Sequence, residues 1–213
     1  MVTILSFIKT FIRLQKNVFK LMYGIWKISK LKQPVISIFG GSHLKSPTPF
    51  LMQAHTIAFE LAKNNIAILT GGGTGIMNAT ACGAHHFNAP VWGITVRNLD
   101  QHHNPCLSDY IEFDYFFMRK LLLMNYSKAF LVFPGGYGTL DELSELLTLI
   151  KTKKINRSLI ILVGREYWQP LVSWIIEKAL VFETINPEDT TLFSIIDDTN
   201  EILHTLKTYY SKI

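Results

Sequence analysis

The sequence predicts an α/β fold: a Rossmann-like, doubly wound parallel sheet with helices on both faces, plus an N-terminal helical extension. Three observations predict it. Short apolar runs alternate with segments of helical spacing from Val35 onward. Three of the strand-to-helix turns are rich in glycine. The 213 residues, 48% hydrophobic and 17% charged, hold enough apolar material for one sizeable core and too little charge for disorder.

The elements follow in order. Val35 to Phe39 reads as a buried strand ending at Gly40-Gly41, and Phe50 to Lys63 as a helix. Ile66 to Leu69 is a second strand, Ile76 to Phe87 a helix, and Val91 to Val96 a third strand. Asn98 to Ser108, rich in His, Asn and Asp, is a loop. Ile111 to Phe113 is a short strand before a helix from Phe116 to Ser127. Ala129 to Phe133 is a strand that stops at Pro134-Gly135-Gly136. A helix over Leu140 to Ile150 and a strand over Leu159 to Val163 come next, and helices over Tyr167 to Leu180 and Asn200 to Tyr210 close the chain. Strands that alternate with helices in this way form parallel sheets. The expected organisation is an arm over residues 1–33 and one nucleotide-binding catalytic domain over 34–213.

Charge separates the two parts. Seven of the 21 basic residues fall in the first 33 positions, and no Asp or Glu precedes Glu60. The remaining chain holds 14 basic against 16 acidic residues, so the net +5 belongs to the arm and gives no support for nucleic-acid binding. Basic residues interrupt the arm too often for a membrane span of roughly 20 apolar residues. No small-residue cleavage site follows a clean apolar run, which argues against a secretory signal. Two readings of the arm remain: a basic amphipathic helix on an anionic membrane, or a helix packed on the domain or on a second subunit. The second is taken here as the expectation. Cys82 and Cys106 define no disulfide framework, and a reduced, cytoplasmic setting is the simpler expectation.

Ligands of this fold bind at the carboxyl ends of the strands. There lie Gly40-Gly41-Ser42, Gly71-Gly72-Gly73-Thr74-Gly75 and Pro134-Gly135-Gly136-Tyr137-Gly138-Thr139. Glycine lets backbone approach a ligand, and amides opening the next helix face an anion, helped by the helix dipole. Ser42 and Thr139 add hydroxyl donors. One such turn would be only a tight connection; three at one sheet edge point to phosphate. Neither a Walker A loop nor a Gly-x-Gly-x-x-Gly fingerprint is present. Arg119 and Glu142 stand near the third turn. A carboxylate can stabilise an oxocarbenium-like sugar and orient or deprotonate water, and a guanidinium can hold a phosphate or the charge of a leaving base. Asp141 should point about 100° away from Glu142.

Pro134-Gly135-Gly136-Tyr137-Gly138-Thr139-Leu140-Asp141-Glu142 resembles the Pro-Gly-Gly-x-Gly-Thr-x-x-Glu signature of the LOG (lonely guy) family, often labelled "lysine decarboxylase". Met118-Arg119-Lys120 resembles its Arg-Lys pair, and Gly71 to Met77 its other glycine motif. The resemblance covers Pro34 to Leu180 and is to the family's longer bacterial branch. It implies hydrolysis of a nucleoside 5′-monophosphate, such as a cytokinin riboside monophosphate or AMP, to free base and ribose 5-phosphate. It also implies a homodimer and no metal or organic cofactor, pyridoxal phosphate included. Arg119 and Glu142 become the catalytic pair, and Ser42, Gly72, Gly73, Gly75, Gly135, Gly136, Gly138 and Thr139 the phosphate site. His43, Met77, Asn78 and Lys120 are expected in the substrate pocket. His43 stands at or near a family arginine and Asn78 where that branch tends to place Glu, so both bear on base preference.

Other features are assigned plainer roles. His85-His86 and His102-His103 lack a second ligand pair at zinc spacing and are expected on a helix surface and in a loop. Trp168 and Trp174 are expected as packing anchors, and Phe116 and Phe117 in the core rather than stacked on a base. A molybdenum-cofactor-type carrier, with comparable glycine loops and no hydrolysis, is the alternative function. A membrane-associated scaffold built on the arm is a further one.

Overall fold

The computed structural model describes residues 4–45, 47–97 and 104–211. Seven strands, β1 (Val35–Phe39), β2 (Ala67–Thr70), β3 (Val91–Val96), β4 (Asp109–Phe113), β5 (Ala129–Val132), β6 (Leu159–Leu162) and β7 (Ser194–Ile195), form one parallel sheet in the order β4-β3-β2-β1-β5-β6-β7. The order reverses at β1, whose neighbours are β2 and β5. That reversal opens a crevice at the carboxyl ends of β1 and β5, where doubly wound sheets hold their ligands. The helices are α1 (Ile4–Ser29), α2 (Pro49–Lys63), α3 (Ile76–Ala84), α4 (Phe116–Asn125), α5 (Tyr137–Lys151), α6 (Arg165–Trp174) and α7 (Thr199–Tyr210).

Alternation along each strand creates two cores. Ile36, Ile38, Ile68, Val91, Leu131 and Ile161 face α2, α3 and α7. Phe39, Leu69, Ile94, Phe113, Phe130 and Leu162 face α4, α5, α6 and the docked strip of α1. Because both faces are covered, β1, β2 and β5 are buried at every position, which is why they read as continuous apolar runs. The one polar residue in β1, Ser37, is satisfied by donating to the Leu123 carbonyl at 2.8 Å and meeting the Ser127 hydroxyl at 2.8 Å.

Four expectations are corrected. Cys82 and Cys106 form a disulfide, because the end of α3 packs beside the segment leading into β4 and brings their Cα atoms to 4.9 Å. With it goes the cysteine-based argument for a reducing compartment. Trp174 is 57% exposed and anchors nothing in the core, whereas Trp168 is buried and donates its indole N–H to the Val132 carbonyl. Phe116 and Phe117 are about half exposed rather than core residues. The expected helix over Tyr167 to Leu180 divides into α6 and a π-helical stretch, Ile175–Leu180. His102 and His103, and the first part of the Asn98 to Ser108 loop, lie outside the described residues.

Candidate functional site

The glycine turns after β1, β2 and β5 are tied to one another by their backbones. Gly41 N–H donates to the Pro134 carbonyl at 2.9 Å, and Ile76 N–H donates to the Gly41 carbonyl at 3.1 Å. The Thr74 hydroxyl donates to the Ser42 carbonyl at 2.8 Å. Gly75 has φ +62°, and a Cβ there would collide with the Gly41 carbonyl, so this crossing requires glycine. The three turns therefore form one wall rather than three separate connections.

That wall borders a cavity of about 680 Å³ at the carboxyl edge of the sheet. Ser42, Gly135, Gly136, Gly138 and Thr139 line it, as the phosphate expectation requires, and His43 and Met77 do as well. The first turn of α5 carries no side-chain cap, so the amides of Tyr137, Gly138 and Thr139 are free of intrahelical partners. A Cβ on Gly136 or Gly138 would meet nothing within 4 Å, so both glycines border open space that a ligand can fill. Amides, dipole and empty space together make an anion cradle.

Arg119 and Glu142 sit beside this cradle. Arg119, on α4, and Glu142, on α5 one turn past the loop, are both buried. The guanidinium Nη2 donates to Glu142 Oε1 at 2.5 Å. Gly71 makes room for it: a Cβ at that position would stand 3.0 Å from Nη2. Arg119 Nε is buried and unpaired, a donor still available to a ligand. The Phe116 ring lies 5.7 Å from the guanidinium carbon and also lines the cavity.

Five expected site residues lie elsewhere. Gly72, with φ +73°, packs on Gly93 and Thr95, and Gly73 is buried behind the wall. Gly75 supports the wall through the crossing already described, and Asn78 is exposed on α3 away from the cavity. Lys120 is turned from the cavity by ion pairs to Asp141, at 2.8 Å, and to Glu145. Burial alone would lower the Lys120 pKa, but the two carboxylates outweigh it and hold it above the usual lysine range. Asp141 and Glu142 diverge as the 100° offset implies, and the structure adds their partners: Asp141 pairs with Lys120 and Glu142 with Arg119.

Sequence reasoning missed Leu44, Phe50, Tyr137 and Tyr167 as cavity residues. Tyr167, in the first turn of α6, donates its hydroxyl to the Gly135 carbonyl. Its only signal was position, at the carboxyl end of the strand beside β5. Among the described residues no group of three His, Cys, Asp or Glu is arranged to hold a metal ion. His85 meets the Cys106 carbonyl at 3.1 Å.

A parallel sheet with glycine-rich turns and a buried Arg–Glu pair beside a cavity at its carboxyl edge defines a Rossmann-like α/β protein with a candidate ligand site. The model of the family described as "Possible lysine decarboxylase" matches residues 77–206, and the chain belongs to that family, the LOG family. The chain is 26% identical over 185 residues to cytokinin riboside 5′-monophosphate phosphoribohydrolase LOG3 of Arabidopsis thaliana, covering 85% of this chain and 86% of the relative. It is 27% identical over 157 residues to a cytokinin riboside 5′-monophosphate phosphoribohydrolase of Rhodococcoides fascians, 71% and 78% of the two chains. Among solved structures, the molybdenum cofactor binding protein of Rippkaea orientalis superimposes with a TM-score of 0.63 at 20% identity, over 84% of this chain and 98% of that one. This last likeness is one of fold.

Proposed function

We propose that the chain hydrolyses the N-glycosidic bond of a nucleoside 5′-monophosphate, releasing a free base and ribose 5-phosphate. The observation that carries the reading is the buried Arg119–Glu142 pair set one helical turn from the anion cradle. The 5′-phosphate sits on the first-turn amides of α5 and the Thr139 and Ser42 hydroxyls. The ribose then lies over Glu142, and the base against Leu44, Phe50, Met77 and Phe116. As the C1′–N bond breaks, its electrons leave with the base and positive charge grows on the sugar. The Glu142 carboxylate stabilises that charge and orients the water whose oxygen bonds to C1′. The water proton ends on the base. Arg119 holds the carboxylate in place through its Nη2 hydrogen bond and offers Nε to the substrate.

Cytokinin riboside monophosphates and AMP are the substrates this reading favours, because the relatives named above act on the former. No organic cofactor or metal has a role in these steps. A homodimer forms through exposed apolar surface such as Trp174, Ile176, Val181 and Phe182. The carrier alternative shares the cradle but has no use for a carboxylate held at the sugar position. Incubation with AMP, GMP, CMP, UMP and isopentenyladenosine monophosphate, assayed for base and ribose 5-phosphate, tests the proposal. Release from at least one nucleotide is expected. Tight binding without release from any of them would favour the carrier and overturn the hydrolase.

A further inference from the structure

We propose that α1 is a membrane-surface helix that docks the protein on an anionic phospholipid bilayer. The helix divides lengthwise into three stripes. Asn17, Leu21, Gly24 and Ile28, spaced for one face, pack on the body. A Cβ at Gly24 would stand only 2.8 Å from Ile111 and Leu122, so the helix lies close against β4 and α4. Asn17 donates to Asp114 Oδ2 at 2.7 Å and accepts from Asp114 N–H at 2.8 Å, and Lys20 and Lys27 reach the Glu112 carbonyl and the Asp109 carboxylate.

The docked strip covers a minority of the helix. At 100° per residue, the half-cylinder opposite carries Ile4, Phe11, Phe19, Met22 and Trp26, all more than half exposed. An apolar face of this breadth, interrupted at its middle only by Gln15, is not a scatter of single surface residues. Between it and the body runs a stripe of cations, Lys9, Arg13, Lys16, Lys20 and Lys27, and the helix contains no acidic residue. No helix among the described residues is long and apolar enough to cross a membrane. Breadth, basic flank and aromatic residues on the apolar side are the features of a helix lying in the interface plane.

A second observation concerns charge. Where α1 passes the end of β4, a cleft of about 450 Å³ is lined by Lys9, Arg13, Lys16 and Arg97, with Ile12 and Asp114. Asp114 is the single carboxylate there, and it is engaged by Asn17, Arg97 and Arg13. Arg97 is also paired with Glu112, which does not line the cleft; the four cations still outnumber the two carboxylates, a surplus of positive charge suited to a lipid phosphate. A second copy of the chain would bring a second all-basic helix against the first, with no carboxylate on either to compensate. Anionic headgroups supply the missing charge.

The topology gives the surface a direction. The contacts run from Asn17 at Asp114 to Lys27 at Asp109, so α1 is antiparallel to β4. Residues 4–16 therefore project about 20 Å beyond the carboxyl edge of the sheet, the edge that holds the catalytic cavity.

Sedimentation of the full chain with phosphatidylcholine vesicles, with and without phosphatidylglycerol, tests this. The chain should pellet with the anionic vesicles and remain in solution with the neutral ones, and rising salt should release it. Lys9→Glu with Lys16→Glu should reduce the bound fraction at least about tenfold. Phe11→Asp with Phe19→Asp should abolish binding; circular dichroism should show both variants folded, and base release from soluble nucleotide should be unchanged. Failure of the full chain to pellet with anionic vesicles overturns the proposal. So does equal binding to both vesicle types. If the apolar variant instead breaks a dimer while no vesicle binds, the face belongs to a second copy.

Discussion

Arg119 and Lys120 are neighbours on α4, and both reach carboxylates on α5, yet the two ion pairs meet different surroundings. Arg119 and Glu142 are buried together at the cavity wall, and the guanidinium retains an unpaired N–H. Lys120 is shared between Asp141, whose side chain is 56% exposed, and Glu145, and does not line the cavity. The first pair is bordered by Gly71, Phe116 and the anion cradle; the second ties two helices together beside it. On the proposed function, a one-residue rotation around a helix separates the reacting pair from a scaffolding one.

The sharpest way to break the comparison is at the carboxylates. Glu142→Gln keeps the shape and a hydrogen bond to Arg119 while removing the charge, and base release should fall by about a thousandfold or more. Arg119→Gln should lower turnover by about a hundredfold and also cost stability, by about 3 kcal/mol, because Glu142 is left buried without its counter-charge. Chemical denaturation run beside the activity assay would separate the two effects. Gly138→Ala fills open space rather than striking a neighbour, so melting should be unchanged while KM rises about tenfold. Lys120→Met should leave turnover within about twofold and stability within about 1 kcal/mol, since Asp141 and Glu145 can rehydrate.

The smallest effect is in pH. A lysine whose pKa is raised by folding contributes stability that is fully present below its unfolded value, about 10.4, and is lost as pH climbs through the higher folded value. The stability of the parent chain should therefore decline above that range, and Lys120→Met should flatten the decline. Urea titrations across the alkaline range would show it; identical curves for the two proteins would remove the assigned linkage.

Much of this architecture was legible in the residues. β1 and β3 have the boundaries their apolar runs imply, because fully buried parallel strands tolerate almost no polar interruption. β7 escaped notice because two residues, Ser194 and Ile195, carry no period. Glu142 was readable from a motif whose loop and helix are contiguous in the chain, and Arg119 from the separate Met118-Arg119-Lys120 pair. Tyr167 and Phe50 were not, because only the sheet order brings the starts of α6 and α2 to the cavity. Lys120 shows the converse failure. The family's Arg-Lys pair placed Lys120 in the pocket, whereas helical rotation carries it to Asp141 and Glu145. The Cys82–Cys106 bridge was hidden for a similar reason, as a separation of 24 residues says nothing about which elements pack together.

The account rests on Glu142 and not its neighbour doing the chemistry. The direct test is base release from a saturating nucleoside 5′-monophosphate by Glu142→Gln and by Asp141→Asn, each checked for a native melting transition. Loss of release in the first with near-parental release in the second is the predicted result. Near-parental release by folded Glu142→Gln would contradict it.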